Sequence, residues 1–278
     1  MHDQFTQYKD GTFTELFLQR STENPGKKAY SYLTADGQIE YQWSWLELRQ
    51  RVLSIAAILQ QKGKPGDRVL LVYPPGIDFI AAFFACLSAR MIAVPVPAPT
   101  AVRMQKISGR VKSLWERVQV VSEDCQATLI LSGSDFIEKA RSIILDNDYL
   151  SSCNWIATDD VDRKLAEHWS KPHTSPDTIC LLQYTSGSTG NPKGVMITHR
   201  NLLANQELIR RAFNQDSQTK VLSWLPHYHD MGLIGGILQP LYLGGEAYLM
   251  SPVSFLQNPA RWLAAISKYQ ITISGGPN

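Results

Sequence analysis

The segment ICLLQYTSGSTGNPKGVMI, residues 179–197, places a loop rich in hydroxyl groups and glycine between two apolar stretches. Four hydroxyl side chains and two glycines lie within 185–190, and Lys193 follows at the end of the loop. Glycine lets backbone N–H groups approach an anion closely, hydroxyl groups add donors without bulk, and lysine adds a mobile positive charge. We therefore predict that this loop binds the phosphates of a nucleotide. The alternative is a Ser/Gly-rich surface turn.

The loop does not have the Walker pattern, which requires Gly, four residues, and then Gly-Lys-Ser/Thr. Counting from Gly187, the position that needs the second glycine is Pro192. Lys193 is followed by Gly194 and not by a hydroxyl residue. We therefore expect a nucleotide loop of another kind.

Strand patterns and helix patterns alternate along most of the chain. The apolar run 68–73 predicts a buried strand, 77–90 a helix, and 92–96 the next strand. Ser44 and Glu47 form a capping-box pattern before an amphipathic helical stripe. This alternation predicts an α/β fold with parallel sheets flanked by helices. The other predicted strands are 127–131, 154–157, 179–184, 194–197, 221–225, 247–250 and 271–273, and the other predicted helices are 102–120, 135–145, 199–213, 233–243 and 259–269.

One polar stretch interrupts this alternation. Residues 164–177 are polar and include two prolines, which makes them the best internal boundary. We expect residues 1–170 to form a first α/β subdomain. Residues 171–278 would then hold the phosphate-loop region and the start of a second α/β subdomain.

Composition excludes several classes of protein. The 278 residues are 44% hydrophobic and carry 27 basic against 25 acidic side chains, a net charge of +2. This composition argues against disorder, and it gives no electrostatic reason to expect nucleic acid or anionic membrane as the main partner. The longest apolar run, 79–89, is too short to span a bilayer. The four cysteines lie far apart, and the amino terminus has no signal-peptide core, so we expect free thiols and a cytoplasmic protein.

The loop also resembles the signature of a known superfamily. TSGSTGNPKG, residues 185–194, is similar to the phosphate loop of adenylate-forming enzymes, which include acyl-CoA synthetases, luciferases and nonribosomal-peptide adenylation domains. These enzymes use ATP to convert a carboxylic acid to an acyl-adenylate, release pyrophosphate and pass the acyl group to a thiol. The resemblance implies ATP and Mg²⁺ as cofactors and a catalytic role for Lys193. It implies that the triphosphate is bound by Thr185, Ser186, Gly187, Ser188, Thr189, Gly190 and Lys193.

A second motif, WLPHYHDMGL at 224–233, follows a predicted strand. His229 comes after the carboxyl end of that strand, where ligands bind in open α/β folds. A histidine in an apolar segment is often only a core residue with its hydrogen bonds satisfied. The resemblance implies instead that His229 has a catalytic role beside the acyl carboxylate and the adenylate phosphate, without abstracting a proton. It also implies substrate binding by Asp230, Met231 and Gly232.

The downstream sequence narrows the family. YHDMGLIGGILQPLYLGG at 228–245 and SPVSFLQNP at 251–259 resemble fatty acyl-AMP ligases. These enzymes activate fatty acids and deliver them to acyl carrier proteins of polyketide or lipopeptide assembly lines, so the implied partners are a fatty acid and an acyl carrier protein. The alternatives are a long-chain acyl-CoA synthetase and a non-catalytic nucleotide- or acyl-binding module. His227 stands where relatives usually have proline. We expect a tolerated loop change there, with a polar contact near the pocket mouth as the alternative.

Five glycines are further candidates for the acyl site. Gly232, Gly235 and Gly236 would form the floor of the acyl pocket, and close helix–sheet packing is an equal alternative. Gly275 and Gly276 would border the acyl-adenylate site, or would simply form a turn.

The predicted helix 102–120 has a basic face. Arg103, Lys106, Arg110 and Arg117 are spaced three, four and seven residues apart. A solvated surface is the simplest interpretation of this spacing. The alternative is a docking patch for an acidic carrier protein.

Several elements of the superfamily do not occur in these 278 residues. They are a Thr-Glu segment that helps to hold Mg²⁺, an acidic residue for the ribose, a small carboxy-terminal domain with a catalytic lysine, and an insertion that excludes coenzyme A. We therefore expect the amino-terminal part of a larger ligase, whose carboxy-terminal part is a further partner, and the metal ligands stay unknown. A complete, non-catalytic relative is the alternative.

Overall fold

A computed structural model of the chain describes residues 11–99, 109–185 and 192–277, with only the backbone described for 109–113. The strands are β1 (Lys28–Leu33), β2 (Ile39–Ser44), β3 (Arg68–Tyr73), β4 (Ile92–Pro97), β5 (Leu129–Ser132), β6 (Asn154–Ala157), β7 (Ile179–Thr185), β8 (Lys193–Thr198), β9 (Lys220–Ser223), β10 (Glu246–Met250) and β11 (Ile273–Ser274). The helices are α1 (Phe13–Glu23), α2 (Trp45–Lys62), α3 (Asp78–Ser88), α4 (Gly109–Asp124), α5 (Ser134–Leu145), α6 (Asp148–Ser152), α7 (His199–Ala212), α8 (Asp230–Leu233), α9 (Gln239–Leu243), α10 (Pro252–Gln257) and α11 (Ala260–Tyr269), with a 3₁₀ turn at Arg163–His168 and a π-helical turn at Ile234–Leu238.

The strands form two sheets. The first has five strands in the order β11-β9-β10-β1-β2, and the second has six in the order β6-β5-β3-β4-β7-β8. Neighbouring strands are parallel except for the pairs β1–β2 and β7–β8, which are antiparallel. The predicted α/β fold is confirmed. The two antiparallel pairs depart from the expectation of parallel sheets, because five residues separate β1 from β2 and seven separate β7 from β8, fewer than the roughly twelve residues that a crossover between parallel strands needs.

Helix α3 lies in the core between the sheets. After its first residue every side chain of this helix is buried, which is expected of a helix that is apolar on all sides. One core cluster joins it to Tyr30 of the five-stranded sheet and Leu71 of the six-stranded sheet. Phe84 of α3 stacks on Phe17 of α1 with ring centroids 5.5 Å apart. The predicted helix at 77–90 is thus confirmed, with its core role explained by its composition.

The capping box before α2 is also confirmed. The Ser44 side chain accepts a hydrogen bond from the Glu47 backbone N–H, and the Glu47 carboxylate accepts one from the Ser44 N–H at 2.8 Å. These two bonds satisfy N–H groups that a helix start otherwise leaves unpaired.

Some predicted boundaries were wrong. The described part of the helix predicted at 102–120 runs from Gly109 to Asp124. The helix predicted at 233–243 begins at Asp230 and consists of α8, the π-helical turn and α9 in succession. The strand predicted at 221–225 runs from Lys220 to Ser223, so the loop that carries the histidine motif begins two residues earlier than expected.

Each sheet contains strands from both sides of residue 170. Strands β7 and β8 join β3–β6, whereas β1 and β2 join β9–β11. The division into 1–170 and 171–278 stays a prediction, because sheet membership does not show which segments fold together.

Candidate functional site

The β7–β8 hairpin brings the two ends of the predicted phosphate loop together. Thr185, the last residue of β7, pairs with Lys193, the first residue of β8. One pair further along, Tyr184 lies opposite Gly194, where an added Cβ would be 3.0 Å from the tyrosine ring. Glycine therefore leaves room for the ring to cross the hairpin. The predicted loop residues Ser186, Gly187, Ser188, Thr189 and Gly190 lie outside the described residues.

Two side chains of β7 hold neighbouring elements in place. The Tyr184 hydroxyl donates to the carboxylate of Asp124, at the end of α4. Burial, together with this carboxylate, raises the pKa of Tyr184, so the hydroxyl stays protonated as a donor. The Gln183 amide donates to the backbone oxygen of Tyr228 at 3.0 Å, which links the strand to the histidine-bearing loop.

His229 lies at the start of α8 and is accessible. Its side chain is 67% exposed, and its Nδ1 lies 2.5 Å from an Asp230 carboxylate oxygen. Its backbone N–H donates to the oxygen of Pro226, and its own oxygen accepts from Leu233. The Met231 N–H donates to the Asp230 carboxylate at 2.6 Å. These bonds fix the loop backbone while leaving the imidazole open to a ligand.

Two pockets meet at His229 and Asp230. The first, here called the polar pocket, has a volume of about 200 Å³ and includes Arg117, Gln183, Thr185, Tyr228, His229 and Asp230 in its lining. The second, here called the apolar pocket, has a volume of about 540 Å³ and includes His229, Asp230, Met231, Ile234, Gly235 and Gly275. Because both pockets share His229 and Asp230, one ligand can have a polar group in the first and an alkyl chain in the second.

The five candidate glycines have different surroundings. Gly235, Gly236 and Gly275 line the apolar pocket, and a Cβ added to Gly235 would meet nothing within 4 Å. A Cβ on Gly232 would lie 2.1 Å from the backbone oxygen of Pro226. A Cβ on Gly236 would lie 2.8 Å from Ser223, and one on Gly276 would lie 2.9 Å from the ring of Trp224. The surroundings of Gly232, Gly236 and Gly276 thus require close packing, whereas Gly235 leaves open pocket space.

His227 is a core residue. Its side chain is buried, and its ring centroid lies 4.2 Å from that of Phe79 on α3. Burial lowers the pKa of His227 to about 4, and a hydrogen bond with the Tyr73 backbone opposes that shift. His227 lines neither of the two pockets. His227 thus lies in the loop between β9 and α8, as expected, but its ring packs inward against α3 and makes no contact at the pocket mouth; that the change is tolerated stays a prediction.

The basic face of α4 is only partly described. Arg103 and Lys106 lie outside the described residues, and the side chain of Arg110 is also outside them. Arg117 lines the polar pocket, so this residue is not part of a uniformly solvated face. Sequence reasoning missed Arg117, Gln183 and Tyr228 as site residues. The one sequence feature that could have pointed to Arg117 is its seven-residue spacing from Asp124, which places both side chains on the same face of the helix.

Other features of the described residues limit the chemistry. All four cysteines are free and buried, and burial raises the pKa of the Cys86 and Cys180 thiols. Within 11–99, 109–185 and 192–277, no group of three or more His, Cys, Asp or Glu could hold a metal ion. In the same ranges, no helix combines the length and apolar character needed to cross a bilayer.

Comparison with known proteins finds relatives among fatty-acid ligases. The family described as AMP-binding enzyme matches residues 17–278. A medium-chain-fatty-acid–acyl-carrier-protein ligase of Moorena producens is 38% identical over 96% of this chain and 44% of its own length. A long-chain-fatty-acid–AMP ligase of Mycobacterium tuberculosis is 33% identical over 92% of this chain and 44% of its own length. The crystal structure of a fatty acyl-adenylate ligase from Legionella pneumophila, in complex with acyl adenylate and pyrophosphate, superposes with a TM-score of 0.87 at 37% identity. That match covers all of this chain and 46% of the Legionella chain, so the chain spans less than half the length of these relatives.

Proposed function

The chain belongs to the AMP-binding enzyme family, and we propose that it forms the ATP- and acyl-binding part of a fatty acyl-AMP ligase. The reaction would join a fatty acid to the AMP moiety of ATP and release pyrophosphate. The acyl group would then pass to an acyl carrier protein. The rest of the ligase, with its small carboxy-terminal domain, would complete the active site.

The observation that best supports this proposal is the position of His229 and Asp230 where the two pockets meet. A fatty acid with its alkyl chain in the apolar pocket would have its carboxylate at His229. Burying an alkyl chain gains about 0.8 kcal/mol for each methylene removed from water. The carboxylate would then face an α-phosphate held on the side of the polar pocket.

The triphosphate would be bound at the hairpin. Thr185 and Lys193 face each other where the loop begins and ends, so a hydroxyl group and a cation are available at its base. Negative charge accumulates on the phosphate oxygens as the carboxylate attacks the α-phosphorus, and positioned donors and cations stabilise that charge. His229 would orient the carboxylate without taking a proton, because the carboxylate is itself the nucleophile.

Mg²⁺ would bind together with ATP. Protein sites usually hold Mg²⁺ through one or two carboxylates together with substrate phosphates and water. The four buried, unpaired cysteines suit a reducing compartment, so we place the enzyme in the cytoplasm.

Fatty-acid-dependent exchange of pyrophosphate into ATP tests the function in the protein that contains this chain. We expect medium- or long-chain fatty acids to support exchange. Lys193→Ala should lower the rate about a hundredfold or more, the usual range for loss of a group that stabilises transition-state charge. Lys139→Ala is the matched control, since Lys139 is exposed and pairs with Asp135 on α5.

Two outcomes would contradict the proposal. Absence of exchange with every fatty acid would favour a binding module without turnover, and a near-wild-type rate for Lys193→Ala would remove the loop assignment. Product analysis separates the enzyme alternatives. Acyl-adenylate that reaches a carrier protein supports the ligase, whereas rapid formation of acyl-coenzyme A supports an acyl-CoA synthetase.

A further inference from the structure

Arg117 has unused hydrogen-bond donors in the polar pocket. Its side chain is partly buried, and its Nε atom is fully buried without a hydrogen-bond partner. Within the described part of the chain, Arg117 has no ion pair or side-chain hydrogen bond. Leaving a charged donor buried and unpaired is unfavourable, and a guanidinium presents its donors in a planar fork that fits phosphate oxygens. An arginine in this state suits an anionic ligand that the pocket receives.

The packing of α4 keeps Arg117 at this position. Trp115 stacks on Phe136 of α5 with centroids 6.0 Å apart, and Val118 is fully buried. Asp124, seven residues after Arg117, accepts the hydroxyl of Tyr184 at the end of β7. Residues seven apart lie on one helix face, so the same face of α4 that contacts the strand end also presents Arg117.

The rest of the polar pocket favours an anion. The hydroxyl groups of Thr185 and Tyr228 also have no side-chain hydrogen bond among the described residues, so they are available as donors. Asp230 is a carboxylate in the lining, and its oxygen atoms already contact the His229 Nδ1 and the Met231 N–H. Three donors without partners in the ranges described thus line the same cavity.

An apolar part of the pocket lining strengthens this attraction. Pro95, Val96 and Pro97, at the end of β4, contribute that part of the lining. Charge interactions are stronger beside an apolar wall than in water, because the effective dielectric constant is lower there.

We propose that Arg117 binds the pyrophosphate end of ATP and holds pyrophosphate as it leaves. This inference rests on the proposed function. When the fatty-acid carboxylate oxygen bonds to the α-phosphorus, the bond from that phosphorus to the bridging oxygen breaks. The electron pair of that bond leaves with pyrophosphate. Arg117 neutralises part of this charge from the side opposite the fatty acid, next to Thr185, where the phosphate loop begins.

Direct titration of the protein that contains this chain with sodium pyrophosphate tests the proposal. We expect Arg117→Gln to weaken pyrophosphate binding about tenfold or more, as loss of a charged hydrogen bond does, and Arg117→Lys to recover part of it. The KM for ATP should rise most in Arg117→Gln and less in Arg117→Lys, while the KM for the fatty acid stays unchanged. Arg141→Gln is the control, because Arg141 is exposed and pairs with Glu138 on α5.

Unchanged pyrophosphate affinity in Arg117→Gln, with thermal unfolding as in wild type, would overturn the proposal. A rise in the KM for the fatty acid alone would also overturn it, since Arg117 would then act on the carboxylate. The experiment distinguishes failure of the proposed function from failure of the role of Arg117. If no fatty acid supports exchange, the proposed function fails, whereas exchange that is insensitive to Arg117→Gln removes only the role of this arginine.

Discussion

Gly232 and Gly235 lie three residues apart in one continuous helical segment, yet their surroundings are opposite. A Cβ on Gly232 would lie 2.1 Å from the Pro226 backbone oxygen and 3.1 Å from that of Leu225, while a Cβ on Gly235 would meet nothing within 4 Å. The same substitution, glycine to alanine, therefore tests close packing at one position and open pocket space at the other.

The two alanine variants should differ in stability by about 3 kcal/mol. Real Cβ atoms essentially never come within 3.0 Å of such an atom, so Gly232→Ala requires the Pro226 backbone oxygen to move by about 1 Å. Forcing extra atoms into a packed site typically costs about 1–3 kcal/mol, and a contact with backbone lies at the upper end of that range. Gly235→Ala should instead gain up to about 1 kcal/mol, because alanine favours helix over glycine.

The shift at Gly232 should also reach the functional site. The His229 N–H donates to the Pro226 oxygen, so movement of Pro226 displaces the backbone of the candidate catalytic residue. We expect Gly232→Ala to lower both the free energy of unfolding and kcat/KM for the fatty acid, while Gly235→Ala keeps the wild-type stability or exceeds it. Urea unfolding and pyrophosphate exchange measure the two effects. Equal stability of the two variants would refute the reasoning, because the close contact would then be absent.

Three further predictions concern other parts of the site. Gly235→Leu should place its side chain in the apolar pocket and shift preference toward shorter fatty acids, with about a fourfold loss in kcat/KM for each methylene excluded; an unchanged chain-length profile would contradict this. The pKa of His227 is about 4 in the folded state against an ordinary value of 6.5. The stability that the protein gains from keeping this ring neutral is therefore constant above pH 6.5 and is lost as the pH falls from 6.5 toward 4. Urea unfolding at pH 7 and at pH 4.5 measures how much free energy of unfolding is lost on acidification. That loss should be about 2–3 kcal/mol smaller in His227→Phe than in wild type, and identical losses would contradict this role of His227. Tyr184→Phe should cost about 1–2 kcal/mol by removing the hydrogen bond to Asp124, whereas Tyr41→Phe at an exposed position should cost nothing measurable.

The proposed reaction gives the two pockets separate tasks. In that reaction the apolar pocket would supply binding energy for the alkyl chain, and the polar pocket would supply charge complementarity to phosphate. His229 and Asp230 lie at the junction where the new bond would form. This division predicts that variants in one pocket affect the KM of one substrate and leave that of the other unchanged.

The sequence by itself determined the features that depend on local pattern. The continuous apolar run at Arg68–Tyr73 specifies a buried strand, and the Ser44–Glu47 pair specifies a helix start. The hydroxyl- and glycine-rich loop predicts an anion site between strands, which stays a prediction. Each of these follows from residues within about one or two turns of chain, where periodicity and capping chemistry act directly.

Only the tertiary structure decided which distant residues meet. Arg117 and Thr185 are 68 positions apart, and no pattern in the sequence indicates that α4 packs beside the end of β7. His227 and His229 are neighbours of similar chemistry, yet one packs against Phe79 and the other opens to both pockets. Which of the two rings is buried depends on which side of the loop packs against the core. Side-chain environment is set by packing between elements, and packing is a property of the assembled sheets and helices that local sequence does not encode.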